Sequence, residues 1–237
     1  MQVNSSRQIL MGARDTLPLI FAAIPFGVIY GALAISSGLS ESIALAMSLF
    51  VFAGASQFIA VSLIASTAAI PVILITVFIV NLRHMLYAAS LMPQASKVSK
   101  WIRIPMAFWL TDETFAVVSN RLNQDAEAPG FLWYYFGSAI AMYSFWIIST
   151  WTGITLGQHI PDMASWGLDV ALVVAFIGIV VPALKNRSHW ACALTGAVTA
   201  VLCHDWPHQT GLLFASLLAI TLGVFLDRNT LKELRHD

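Results

Sequence analysis

Of the 237 residues, 58% are hydrophobic and only 10% are charged; net charge is zero and mean hydropathy is +0.78. Soluble domains carry roughly 25% charged residues, so this chain lacks the polar groups to cover a water-facing globule and reads as an integral membrane protein. The charge balance excludes the basic face that a nucleic-acid partner would need, and no phosphate loop supports nucleotide-driven pumping within the chain.

The polar stretch 1–15, with Arg7 and Arg14, shows no signal-peptide cleavage pattern. It is expected to be a cytoplasmic N-terminal segment. Residues 16–227 then form a single transmembrane transport domain, and 228–237 a short polar cytoplasmic tail. A spanning helix needs about 20 apolar residues, and on that measure the fold class is all-α: a polytopic transmembrane helical bundle of about 7–8 hydrophobic segments.

The first segment runs from about Thr16 to Ser36, with Pro18 expected in its first turn. Gly27 and Gly31 form a small-xxx-small pair, which suits close helix packing or, alternatively, a hinge. The second runs from Ser42 to Ser66 and holds Phe52-Ala53-Gly54-Ala55-Ser56-Gln57-Phe58. Irregular backbone at membrane depth persists only where protein buries it or a cavity hydrates it. This stretch is therefore a Gly-containing packing face or the unwound elbow of a discontinuous helix, and the amide of Gln57 favours the elbow. The third runs from about Ala68 to Leu91 and closes on Asn81-Leu82-Arg83-His84-Met85-Leu86-Tyr87. The fourth, Ile104 to Asn120, is short and holds Leu110-Thr111-Asp112-Glu113-Thr114. Thr111 is placed to cap a half-helix with Asp112 and Glu113 in its first turn, where the helix dipole favours acids. Discontinuous or re-entrant helices are thus expected near Gly54 and Asp112.

Four further segments follow: Phe131 to Leu156, Leu168 to Leu184, Trp190 to Cys203 and Gly211 to Leu226. Trp133, Tyr134, Tyr135, Trp151, Trp166, Trp190 and Trp206 sit near span ends, as an aromatic belt would. Cys192 and Cys203 read as small core residues. Asp169 reads as an N-cap or first-turn acid. His204-Asp205-Trp206-Pro207-His208 reads as an interfacial loop rather than a metal site, because Pro207 breaks the helical spacing that ligands would need; no metal or other cofactor is expected, and no hydrolase spacing is evident.

The positive-inside rule puts Arg7, Arg14, Lys185, Arg187, Arg228, Lys232 and Arg235 on the cytoplasmic side. Eight simple crossings would leave Lys97, Lys100 and Arg103 outside. Either that loop breaks the rule, or interrupted segments around Gly54 and Asp112 fail to cross.

An ionisable residue at membrane depth costs roughly 2.5–3.5 kcal/mol on insertion scales, and intramembrane charges mark functional sites by default. On a helical wheel, Arg83, His84 and Tyr87 fall within about 100° of one another and Asn81 about 60° beyond, opposite the apolar Leu82, Met85 and Leu86. Arg83 suits a carboxylate, whether of a substrate or of Asp112 or Glu113; His84 titrates near neutrality and could relay a proton. Snorkelling of Arg83 and His84 to the interface is the plainer alternative. The candidate substrate-binding and transport residues are Gly54, Ser56, Gln57, Asn81, Arg83, His84, Tyr87, Asp112 and Glu113, three short motifs expected to converge on one site.

Those three motifs, with Pro25-Phe26-Gly27 and the segment ending Val181-Pro182-Ala183-Leu184-Lys185, resemble in order the AzlC family of bacterial inner-membrane permeases. The resemblance implies an exporter, not an enzyme, for leucine, isoleucine, valine and related apolar amino acids such as methionine. It also implies a second small membrane subunit of AzlD type. A zwitterion needs a cation, an acid and an apolar pocket, which Arg83, Asp112 or Glu113 and the Phe/Met/Leu-rich walls supply; the proton motive force is the expected energy source. A channel or transporter for another small solute, and a non-transporting scaffold with buried structural ion pairs, are the rival classes.

Overall fold

A computed structural model describes residues 4–125, 128–159, 186–206 and 210–233, with Ile177, Val181 and Leu184 as single positions. The elements are α1 Ser5–Ser36, α2 Glu41–Phe50, α3 Gly54–Ala65, α4 Ile70–Ala95, α5 Lys100–Phe108, α6 Asp112–Gln124, α7 Phe131–His159, α8 Arg187–Leu202 and α9 Thr210–Glu233. They are all α-helices, and α1, α4 and α7 are long and apolar enough to cross a membrane. The chain is an all-α membrane protein. Most of the segment expected from Leu168 to Leu184, with Trp166, Asp169, Pro207 and His208, lies outside the described residues.

The helices form two compact units, residues 1–65 with 77–171, and residues 66–76 with 172–237. The first is built on α1 and α7. Asn4 opens α1 by accepting a hydrogen bond from the Arg7 amide at 3.1 Å. The helix therefore starts at Ser5 rather than Thr16, and Pro18 lies within it, beside Pro25, instead of in a first turn. The polar stretch winds because its cap satisfies an orphan amide and because it packs: Gly12 is buried against Tyr134 and Ser138 of α7.

The same contact continues along the whole length of the pair. Gly27 meets Trp146 and Ser149, and Gly31 meets Thr150 and Ile154, so α1 and α7 run parallel. The seam is backbone against backbone. A methyl group on Gly12, Gly31, Gly137 or Gly153 would overlap main-chain atoms of Tyr134, Thr150, Ile9 or Val28. This is small-residue packing of the kind that lets helices associate without a hydrophobic driving force between them. Gly27 and Gly31 serve close approach, not a hinge. Thr16 also donates across the seam to Ser138 at 2.7 Å.

Two helical hairpins enter the first unit from opposite ends of this pair. α2 begins where Glu41 bonds Gln158, near the end of α7, and runs back along it until Ser48 reaches Thr150 and Leu49 reaches Tyr143. The chain then breaks at 51–53, and α3 turns back: Gln57 bonds Ser48 and Phe58 packs edge-on against Tyr30. α5 comes from the other end, where Met106 packs with Tyr134 and Tyr135, and rises until Phe108 and Trp109 reach Tyr143. After a break at 109–111, α6 descends until Arg121 lies over Tyr134. Both interrupted segments reverse direction. Lys97 and the start of α5, with Lys100 and Arg103, therefore share the end of the first unit that holds Arg7 and Arg14.

The first break lies just before Gly54, not through it. Phe52 takes the left-handed φ of 43°, while Gly54 to Gln57 are the first turn of α3. A left-handed conformation costs roughly 1–2 kcal/mol for a residue with a Cβ. Phe52 is held there by burial (4% exposed) and by its edge-on contact with the Tyr143 ring at 4.8 Å. Gly54 is small for packing, since a Cβ there would lie 3.0 Å from the Trp146 ring.

Two residues assigned to the aromatic belt belong elsewhere. Tyr134 and Tyr135 are buried, because their hydroxyls have partners inside: Asp15 at 2.8 Å and the Met106 carbonyl at 2.6 Å. Trp133, Trp151, Trp190 and Trp206 are exposed, as belt residues are. In the second unit α8 and α9 pair antiparallel, with Gly211 against Cys203, Gly196 against Ala219 and Gly223 against Cys192. Both cysteines are small packing residues at that seam.

Gly31→Ala is expected to force α1 off α7 and to destabilise by about 1–3 kcal/mol or more, the usual range for overpacking. Gly27→Ala should cost less, because its nearest obstacle is the Ser149 side chain, which can turn away. Thermal unfolding of the detergent-purified variants orders the two.

Candidate functional site

Three short motifs meet on the inward face of α4. Leu82, Met85 and Leu86 are exposed and apolar, as a lipid-facing surface should be, while Asn81, Arg83, His84 and Tyr87 are half-buried. Asn81 accepts a hydrogen bond from Ser56 of α3 at 2.7 Å. Arg83 pairs with Asp112 of α6, Nη1 to Oδ2 at 2.9 Å, and the Tyr87 hydroxyl donates to the other carboxylate oxygen, Oδ1, at 2.7 Å. The two half-helices thus present their first turns to one face of a third helix.

The local chemistry follows from the sequence. Thr111, in extended backbone, caps α6 by accepting from the Thr114 amide at 3.3 Å. That places Asp112 and Glu113 in the first helical turn, where the dipole stabilises negative charge. Glu113 hydrogen-bonds the Thr111 hydroxyl and lies within electrostatic reach of Arg83. Tyr87 is clamped by stacking on Phe115, centroids 4.3 Å apart, and by the edge-on ring of His84 at 5.7 Å. His84 Nδ1 lies 3.2 Å from the Asn81 carbonyl oxygen.

Arg83 is only partly satisfied. Its Nη1 has the Asp112 partner, but its Nε is buried with no hydrogen-bond partner. Leaving a buried charged donor unmatched is costly, commonly about 1–3 kcal/mol or more. The Arg83 side chain keeps 25% exposure and that of Asp112 38%, so the pair is reachable rather than sealed in. Such a group is suited to a second anion that shares the guanidinium with Asp112.

A family model described as "AzlC protein" matches residues 18–160, a range that contains all nine candidate residues. The chain belongs to the AzlC family. The resemblance read from its motifs is thereby confirmed. An "Uncharacterized membrane protein" of Archaeoglobus fulgidus is 34% identical over 207 residues, 85% of this chain and 87% of that protein. "Inner membrane protein YgaZ" of Escherichia coli is 29% identical over 214 residues, covering 85% and 84%. "Branched-chain amino acid transport protein AzlC" of Bacillus subtilis is 27% identical over 202 residues, covering 82% and 76%. No solved structure matches at a significant level.

In this AzlC-family chain, Gly54 and Gln57 stand apart from the Arg83 face. They share the side of α3 that meets α7. Gln57 is fully buried: its amide donates to Ser48 at 2.9 Å, hydrogen-bonds Tyr30, and accepts from Trp146 Nε1 at 3.1 Å. Ser48 in turn bonds Thr150 at 2.9 Å. A buried amide with every group partnered fixes a hairpin in place. Sequence reasoning missed Trp146 and Tyr143. Tyr143 donates to the Leu49 carbonyl at 2.9 Å and touches Phe52, Phe108 and Trp109, so both hairpin tips converge on it. Nothing in the local pattern of an aromatic-rich span marks one tyrosine in this way.

Gln57→Leu removes the partners of Trp146, Ser48 and Tyr30 together. It is expected to destabilise by about 1–3 kcal/mol, read as a lowered unfolding midpoint. Ser56→Ala, on the α4 side, should shift that midpoint far less.

Proposed function

We propose that this chain is a bacterial inner-membrane transporter that exports branched-chain amino acids (leucine, isoleucine, valine) and methionine. The observation that carries the reading is the half-satisfied Arg83, paired with Asp112 at the start of a re-entrant half-helix and left with a free buried Nε donor. Support comes from the kinship to a Bacillus subtilis protein named for branched-chain amino acid transport.

The residues divide the work in chemical terms. Arg83 takes the substrate carboxylate with its planar fork, which Lys cannot imitate. Asp112, released in part from Arg83, and Glu113 face the ammonium. Asn81 and Ser56 supply neutral hydrogen bonds, Tyr87 holds Asp112 in register, and neighbouring apolar side chains take the branched side chain. Substrate and Asp112 compete for one arginine, so occupancy changes the contact between α4 and α6. That is the type of local event a broken-helix transporter uses to switch access. The proton motive force drives export, with Asp112, Glu113 or His84 carrying the proton. The basic end of the first unit faces the cytoplasm, with both chain termini, and a small AzlD-type membrane subunit completes the transporter.

Cells loaded with a leucine-containing dipeptide test the reading. Leucine efflux is expected when the chain is expressed with its small partner and to stop on adding a protonophore. Efflux that is the same without the pair would sink the proposal. Hydrogen bonds to a charged group are worth about 1.5–3 kcal/mol, so Arg83→Lys should slow efflux roughly ten- to a hundredfold. The variant should still accumulate in the membrane; failure to do so would mark Arg83–Asp112 as a structural pair instead.

A further inference from the structure

The first unit holds a second constellation of charge, away from Arg83 and at the basic end of the α1/α7 pair. There, α1, α6 and the start of α7 enclose an open cavity of about 590 Å³. Small-ligand sites commonly measure about 300–1,000 Å³. Its polar wall carries Asp15 of α1 and Asn120 and Arg121 of α6; its apolar wall carries Met11, Leu19 and Val117.

Arg121 is held firmly and left incomplete. Its Nη2 donates to Gln8 Oε1 at 2.7 Å and to the Pro129 carbonyl at 2.9 Å, and its guanidinium carbon sits 4.0 Å above the Tyr134 ring. Its Nη1 is buried with no hydrogen-bond partner. Tyr134 also organises the opposite charge, since its hydroxyl donates to Asp15 Oδ2 at 2.8 Å. One aromatic residue therefore fixes a cation on its face and an anion at its rim, in a cavity with a hydrocarbon wall. A second carboxylate, Asp125, lies on the same lining. Cation, acid and apolar surface in one cavity are the three complements of an apolar α-amino acid.

We propose that this cavity is a second amino-acid site, a loading site on the end of the first unit that carries Arg7 and Arg14. The substrate carboxylate takes the Arg121 guanidinium, whose hydrogen-bonding capacity is not filled. The ammonium takes Asp15, aided by the negative end of the α6 dipole. The aliphatic side chain lies on Met11, Leu19 and Val117. Asp112 and Arg121 are nine positions apart on one helix, about 14 Å at 1.5 Å per residue. α6 thus joins the loading site to the Arg83 site, one at each end. The choice of amino acid as ligand rests on the proposed transport function; the cavity and its charges do not.

Asn120→Cys reports on the cavity directly. The full chain, purified with its small partner, is treated with a charged maleimide, and modification at position 120 is followed by peptide mass spectrometry. Leucine is expected to slow the reaction several-fold, and isoamylamine or isovalerate, each lacking one charge, to slow it much less. Adding Arg121→Gln or Asp15→Asn should abolish the protection. Asp15→Asn leaves Arg121 untouched and keeps an acceptor for Tyr134, so it answers even if Arg121→Gln fails to fold. Equal protection by all three compounds, or protection that survives both substitutions, overturns the proposal, as does the absence of protection by leucine. Arg83→Lys should slow efflux roughly ten- to a hundredfold yet leave protection in place. If it removes protection as well, the loading site is not a separate site. Protection without any efflux leaves the loading site standing and removes the transport reading.

Discussion

The parallel contact between α1 and α7 is the interaction on which the first unit depends. In lipid, helices gain nothing from hiding hydrocarbon from water, so association rests on close packing and interhelical hydrogen bonds. Gly12, Gly27 and Gly31 on one side, and Gly137 and Gly153 on the other, remove side chains where the backbones touch. The pair so formed supplies the aromatic and hydroxyl groups that both hairpins need: Trp146, Thr150 and Tyr143 for α2 and α3, Tyr134 and Tyr135 for α5 and α6.

Re-entrant segments are tolerable at membrane depth only when protein buries their broken ends. Here each break has its own solution. The turn before α3 rests on a buried Phe52 and on the Gln57 amide network. The turn before α6 rests on the Thr111 cap and on Trp109, packed against Phe136 and Tyr143. Because the breaks are supported from α7, their functional groups can point the other way, toward α4. Gln57 and Ser56 are neighbours in sequence and face different helices for this reason.

The charge at the α4 face is then a consequence of topology. A helix start brings a positive dipole end, which steadies Asp112; Asp112 steadies Arg83; and Tyr87 fixes the carboxylate between them. Neither charge would be stable at that depth alone. Their mutual satisfaction is incomplete at Arg83 Nε, which is buried without a hydrogen-bond partner.

Much of this was legible in the chain. Composition dictated a membrane protein, the wheel at Asn81 to Tyr87 separated a polar from an apolar face, and Thr111-Asp112-Glu113 announced a helix start, because a cap and two first-turn acids are local chemistry. Five short motifs in order carried the resemblance to the AzlC family. Other features depended on partners distant in sequence. Tyr134 and Tyr135 looked like interfacial aromatics until Asp15 and the Met106 carbonyl came within reach of their hydroxyls. Gln57 showed only that its amide needs partners; Ser48 and Trp146, distant in sequence, supply them. Pro18 looked like an N-terminal residue until the polar stretch before it found α7 to pack on. Arg121 and Tyr143 carried no signal at all. Local pattern determines where helices start and which face is polar, since those rest on neighbours three or four positions apart. Which polar groups are spent on holding the fold and which are left for a ligand is decided only when distant helices meet, because a hydrogen-bonding group can be called unsatisfied only once every possible partner is in place.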